Sequence, residues 1–191
     1  MGTFSMSTEA SLPASDPIAV VVIGVTGAGK TTVGRLLAAQ VGAGFVDGDD
    51  LHTDAARAKM RSGVPLSDDD RWPWLDRVGE TLFSGLTARR STIVACSALR
   101  KAYRDRLRAA VGPALRFVYL AATPEAMRAR VASRPEHYMP ASLVDSQFAT
   151  LEPPRGEGDV IEIAADSDLA TSVPRLAARL RAEVAMGGRQ P

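Results

Sequence analysis

Apolar and polar positions alternate in blocks along this chain, and the period of the pattern switches from block to block. Ile18–Ile23 is a short β-branched run, consistent with a buried strand. A glycine-rich stretch follows, then helical spacing over Thr31–Val41. Gly44–Val46 reads as a second strand that runs into Asp47-Gly48-Asp49-Asp50. Ala55–Ser62 reads as helical, and Trp72–Thr87 as a longer helix with Trp74, Leu75, Val78, Leu82 and Leu86 on one face. Thr92–Ala95, Phe117–Leu120 and Val160–Ile163 are three further strand signals. Between and after them, Lys101–Ala110, Pro124–Ser133, Ala141–Leu151 and Leu169–Ala185 carry helical spacing. Strands alternating with helices predict an α/β fold, a five-stranded parallel sheet covered on both faces. Ligands in such folds bind beyond the carboxyl ends of the strands, so the residues just after each strand hold the chemistry.

Residues 1–16 are rich in Ser, Thr, Ala and Pro without periodicity and read as a disordered leader, and residues 187–191 as a frayed tail. That leaves 17–186 as one domain, which suits a chain of 191 residues. With 23 basic and 22 acidic residues the net charge is +1. So even a balance speaks against bulk binding to nucleic acid or anionic membrane. The single cysteine, Cys96, excludes an internal disulfide and makes a structural zinc site unexpected. No apolar run reaches membrane-spanning length. The expectation is a soluble cytoplasmic protein. Only three of the basic residues are lysines, Lys30, Lys59 and Lys101.

One of these lysines stands in the segment after the first strand. Gly24-Val25-Thr26-Gly27-Ala28-Gly29-Lys30-Thr31 fits G-x-x-x-x-G-K-[ST] at every defined position, between a strand and a helix. The glycines allow backbone conformations closed to other residues and bring N–H groups close to phosphate oxygens. The helix adds its positive end. Gly24, Thr26, Gly27, Ala28, Gly29, Lys30, Thr31 and Thr32 are therefore the expected ATP-binding set. Lys30 would reach the β- and γ-phosphates, and the Thr31 hydroxyl would ligate Mg²⁺.

The third strand ends Val94-Ala95-Cys96-Ser97 without the acid that motor ATPases use, and no Asn-Lys-x-Asp motif for guanine is present. Both absences favour a small kinase. The acids follow the second strand instead: Asp47, Asp49 and Asp50, with His52 beyond. One carboxylate could hold a Mg²⁺-bound water, and another could accept the proton of an attacking hydroxyl. Asp47 and Asp49 would share a side in extended chain. A solvated acidic turn is the plainer alternative. Ser67 and Asp68–Asp70 read as helix capping, which leaves Arg71 free to clamp a substrate carboxylate. Ser97 and its small neighbours leave room for an acceptor, whereas Cys96 reads as a buried structural thiol. Arg128, Arg130 and Arg134, followed by His137 and Tyr138, could close over phosphates or equally lie at the surface.

Together these segments resemble the gluconokinase family of small phosphate-loop kinases. The likeness rests on the loop at Gly24, Asp47-Gly-Asp-Asp-Leu-His52, Lys59-Met-Arg-Ser-Gly-Val-Pro-Leu-Ser-Asp-Asp-Asp-Arg71, Pro73-Trp74-Leu75, Cys96-Ser-Ala-Leu-Arg-Lys101, Tyr103-Arg104-Asp105, Phe117-Val-Tyr-Leu120, Gln147-Phe148 and Leu151-Glu152-Pro153. It implies a three-layer sandwich like that of nucleoside and shikimate kinases, with a small lid near 130–141. It also implies transfer of the γ-phosphate of ATP to the 6-hydroxyl of D-gluconate. Carried over, Asp49 is the candidate base, Asp47 holds Mg²⁺ through water, and His52 and Arg71 contact the polyol and carboxylate. Arg130 and Arg134 resemble lid arginines that meet ATP, and His137 the lid histidine. The resemblance also suggests a homodimer. Thr53 stands where the family has Pro, and Pro135-Glu136 interrupts the usual Arg-x-Gly-His-Phe of the lid. A kinase for shikimate or another sugar acid, or a nucleotide-binding regulatory protein without transfer activity, remains an alternative.

Overall fold

The computed structural model of the chain describes residues 16–62, 64–133 and 141–187. The elements run β1 (Ala19–Ile23), α1 (Lys30–Val41), β2 (Gly44–Asp47), α2 (Asp54–Arg61), α3 (Asp68–Thr87), β3 (Thr92–Ala95), α4 (Lys101–Val111), β4 (Leu115–Ala121), α5 (Pro124–Ala132), α6 (Ala141–Thr150), β5 (Val160–Ala164) and α7 (Leu169–Gly187). The strands form one sheet in the order β2-β3-β1-β4-β5, and every pairing is parallel. β1 lies in the middle, buried along its whole length, as expected for a strand that reads as an unbroken Ala-Val-Val-Val-Ile run.

Alternate side chains of β1 feed two separate cores, which makes the structure three layers. Val20 and Val22 pack with Val33, Leu37, Val144, Leu176 and Leu180 of α1, α6 and α7. Ala19, Val21 and Ile23 pack with Trp74, Leu75, Val78, Leu82, Tyr103 and Leu107 of α3 and α4. The predicted α/β architecture is what the structure shows.

Two local expectations need correction. The third helix starts at Asp68, not Trp72. Ser67 and Asp70 form a reciprocal capping box, in which Asp70 N donates to Ser67 Oγ and Ser67 N donates to Asp70 Oδ2 at 2.9 Å. Three acids then complement the helix start. Pro73 therefore sits inside the helix. The carbonyl left without its N–H belongs to exposed Asp69, open to water. The second correction is that the chain after β2 does not continue extended. Gly48–Leu51 is a 3-10 turn, so Asp47 and Asp49 do not share a strand face. Arg134 and His137, and most of the expected lid, lie outside the described residues.

Candidate active site

The loop between β1 and α1 follows from its glycines. Gly24, Gly27 and Gly29 have φ of 144, 79 and 95°, a region that favours glycine. A Cβ on Gly27 would also press on Val131 of α5. Gly29 caps α1 without a side-chain acceptor, and no acidic residue stands in the first turn. The helix start thus keeps its positive end and its unpaired N–H groups for an anion. Lys30 Nζ donates to Val25 O at 3.0 Å, folding the lysine back over the loop. Burial lowers its ammonium pKa, opposed by the charges of Asp49 and Asp47. Arg130, on α5, donates to Gly27 O at 3.2 Å, so this arginine does reach the loop. Arg128 does not; it pairs with Asp145 at 2.7 Å on the surface.

The acid turn is docked onto this loop. Thr31 Oγ1 donates to Asp47 Oδ2 at 2.9 Å, and Asp49 N donates to Asp47 Oδ1 at 3.2 Å. Asp47 therefore holds the helix start with one oxygen and its own turn with the other. Asp49 is exposed. Partial loss of hydration, then the Asp47 charge, raises its carboxyl pKa, as suits a group meant to take a proton. The rest of the turn is clamped from outside. A Cβ on Gly48 would run into the carbonyl of Ala95. Trp74 Nε1 donates to Gly48 O at 2.6 Å in the buried interior. Arg57 donates to Asp50 O at 3.0 Å and Arg77 to Leu51 O at 3.2 Å. His52 is only 4% exposed and stacks on Trp74 with centroids 4.3 Å apart. Its Nδ1 has no hydrogen-bond partner among the described residues. Burial, helped by Arg57 and Arg71, pushes its pKa down to about 4, so the ring is neutral at physiological pH. Thr53 caps α2 by accepting from Ala56 N at 3.1 Å, which gives this departure from the family pattern a structural use.

Arg71 has local partners that spacing alone did not reveal. It lies 3.6 Å from Asp68 and 3.4 Å from the Tyr103 hydroxyl. Arg100 shares the same carboxylate at 2.5 Å, so two guanidinium groups converge on one aspartate. Ser97, half-buried in the β3–α4 loop, accepts from Gly24 N through its carbonyl at 3.4 Å, which brings this loop against the phosphate loop. Cys96 is buried, and burial drives its thiol up to about 12; it is inert, as expected.

Three residues with work to do here were absent from the expected site. Gln147 and Arg104 were visible only as parts of the family resemblance, and Trp74 also as part of an apolar helix face. Arg104 is 1% exposed. It donates to the carbonyls of Ala98 and Leu99 at 3.1 Å and forks onto Glu157. Ala98 has a φ of 36°, unusual for a side-chain-bearing residue, so a buried cation fixes the loop that carries Ser97.

Among the described residues no group of three His, Cys, Asp or Glu is arranged to hold a metal. The oxygens of Thr31 and Asp47 fit a different donor set, one hydroxyl and one carboxylate beside a phosphate loop. That set suits a Mg²⁺ ion that keeps waters and is shared with substrate phosphates. No helix of the described residues is long and apolar enough to cross a membrane.

A glycine loop at the end of the central strand, bonded to a carboxylate turn that presents a second acid, defines a phosphate-loop nucleotide-binding protein of the kinase type. Known proteins place it more narrowly. The model of the AAA domain family matches residues 20–154. The thermosensitive gluconokinase of Escherichia coli (strain K12) is 41% identical over 151 residues, 78% of this chain and 80% of that protein. A probable gluconokinase of Schizosaccharomyces pombe (strain 972 / ATCC 24843) is 44% identical over 153 residues, covering 77% and 79% of the two chains. The crystal structure of a gluconokinase from Sinorhizobium meliloti 1021 superposes with a TM-score of 0.79 at 41% identity, covering 90% of this chain and 95% of that one. The chain belongs to the gluconokinase family and is a phosphotransferase.

Proposed function

We propose that the protein transfers the γ-phosphoryl group of ATP to the 6-hydroxyl of D-gluconate, giving 6-phospho-D-gluconate and ADP. The observation that carries this reading is the bond from Thr31 to Asp47, which joins the acid turn to the first turn of α1, at the end of the phosphate loop. With ATP on the loop, the Asp49 carboxylate would stand beside the group to be transferred. ATP lies on Gly24, Thr26, Gly27, Ala28, Gly29, Lys30, Thr31 and Thr32. Asp49 takes the proton of the 6-hydroxyl as its oxygen bonds to the γ-phosphorus. The bond from that phosphorus to the bridging oxygen breaks, and ADP leaves with the electron pair. Lys30 and Arg130 stabilise charge on the transferring group. Thr31, and Asp47 through water, would hold Mg²⁺, which would neutralise phosphate charge.

His52 and Arg71 are the acceptor contacts, for polyol and carboxylate respectively, and Ser97 borders the same space. The unbonded Nδ1 of a neutral His52 and a guanidinium in reach of Tyr103 support these roles. Arg134 and His137 take part in closing over the substrates, on the strength of the family resemblance. The same resemblance supports a cytoplasmic homodimer, with residues 17–186 as one domain.

ADP release tests the reading, measured with Mg²⁺–ATP and D-gluconate, shikimate, glucose or other sugar acids added singly. A large signal with D-gluconate alone is expected. Release with another acceptor keeps the kinase and removes the roles of His52 and Arg71. ATP binding without release for any acceptor favours a regulatory protein.

A further inference from the structure

Helix α6 reaches the phosphate loop through one side chain. Gln147 Oε1 accepts from Thr26 N at 2.6 Å, across 121 positions of sequence. The same peptide unit is held at its other end, where Val25 O accepts from Lys30 Nζ at 3.0 Å. The Val25–Thr26 peptide therefore links two hydrogen bonds in series, from the Gln147 amide oxygen to the Lys30 ammonium. Bonds in such a chain polarise one another, and an N–H that donates makes its own peptide carbonyl a better acceptor. Helix α6 is firmly seated: Val144 is buried and Phe148 packs against the same core. Asp145 pairs with Arg128 of α5. Gln147 is half-buried, so its acceptor is presented from a fixed base.

We propose that Gln147 is a positioning residue for Lys30, acting through the Val25–Thr26 peptide and setting where the ammonium stands over the loop. The inference rests on the reading that this loop binds nucleotide. It gives a task to Gln147-Phe148, a segment the catalytic account leaves unused.

The test is a double-mutant cycle on Gln147→Met and Lys30→Met, read as Kd for Mg²⁺ with a non-hydrolysable ATP analogue titrated into the millimolar range. With Lys30 present, Gln147→Met weakens binding about five- to tenfold, the net worth of one ordinary hydrogen bond. In the Lys30→Met background the further loss is under about twofold. Gln147→Asn withdraws the same oxygen and repeats the result should the methionine variant fold poorly. Equal losses in both backgrounds, or no loss with Lys30 present, overturn the inference and leave nucleotide binding intact. Failure of the unaltered protein to bind the analogue overturns the nucleotide reading itself.

Discussion

The phosphate loop and the acid turn touch through Thr31 and Asp47, yet they are built by opposite means. The loop is made by its own backbone: three glycines at positive φ, an uncapped helix start, and a lysine that folds back onto the loop that precedes it. The acid turn has one side-chain cap of its own, from Asp47. The rest of its shape depends on Trp74, Arg57 and Arg77 gripping the carbonyls of Gly48, Asp50 and Leu51 from α2 and α3, with His52 packed on the indole. The loop's shape is written in its own residues, and the outside bonds with Gln147 and Arg130 bear on how it meets a ligand rather than on that shape. A site held by distant side chains moves when any of them is altered, and phosphoryl transfer, which depends on alignment, registers that movement.

Substitutions on the two sides should therefore fail differently. Lys30→Ala, on the loop side, should lower kcat about a thousandfold by removing a preorganised cation, while thermal unfolding stays near that of the unaltered protein. Gly48→Ala, on the acid side, should cost roughly 1–3 kcal/mol of stability from the contact with Ala95 O. By shifting Asp49 it should also lower kcat about a hundredfold. Equilibrium binding of nucleotide should be nearly unchanged, so a large loss there would erase the distinction between the sides. Trp74→Phe keeps the ring and leaves Gly48 O without its buried donor. It should lower kcat about tenfold and stability by about 1–3 kcal/mol, again with nucleotide affinity preserved.

A last effect leaves the rate of transfer aside and concerns stability and pH. His52 titrates near pH 4 when folded and near its ordinary 6.5 when unfolded. Between those values the unfolded chain binds the extra proton, so the stability due to the neutral ring is complete above about pH 6.5. It is lost as pH falls towards about 4, by up to about 3 kcal/mol. Denaturant unfolding at several pH values should show this slope, and His52→Phe should remove it between about pH 6.5 and 5. An unchanged slope in that variant assigns the proton to another group.

The same division explains what was legible in the sequence. The loop could be read because its chemistry is written in eight consecutive residues. The sheet could be read because β-branched runs alternate with helical spacing, although its strand order could not. The acids after β2 were visible as residues, but their arrangement was not: a 3-10 turn closed by Asp47 replaces the extended chain that simple alternation suggests. The start of α3 was placed late, at Trp72 where the apolar face begins; Ser67 and Asp68–Asp70 were read as capping, but the acids are the first turn of the helix itself. Trp74, Arg104 and Gln147 act on partners far away in sequence or through a buried fork, and no local pattern announces such a bond. Arg71, which seemed unexplained by capping, is paired by Asp68 one turn away.

What the acid turn contributes to the transfer comes down to Asp49, the carboxylate it presents as base. It is tested most directly by the kcat of Asp49→Asn with D-gluconate and Mg²⁺–ATP, alongside its nucleotide Kd. The expected result is a fall of about 10²–10⁴-fold in kcat with nucleotide binding retained. In the unaltered enzyme the rate should fall with acidification as a carboxyl titrates above the ordinary aspartate range, a limb the variant lacks. A near-normal kcat in Asp49→Asn would contradict it.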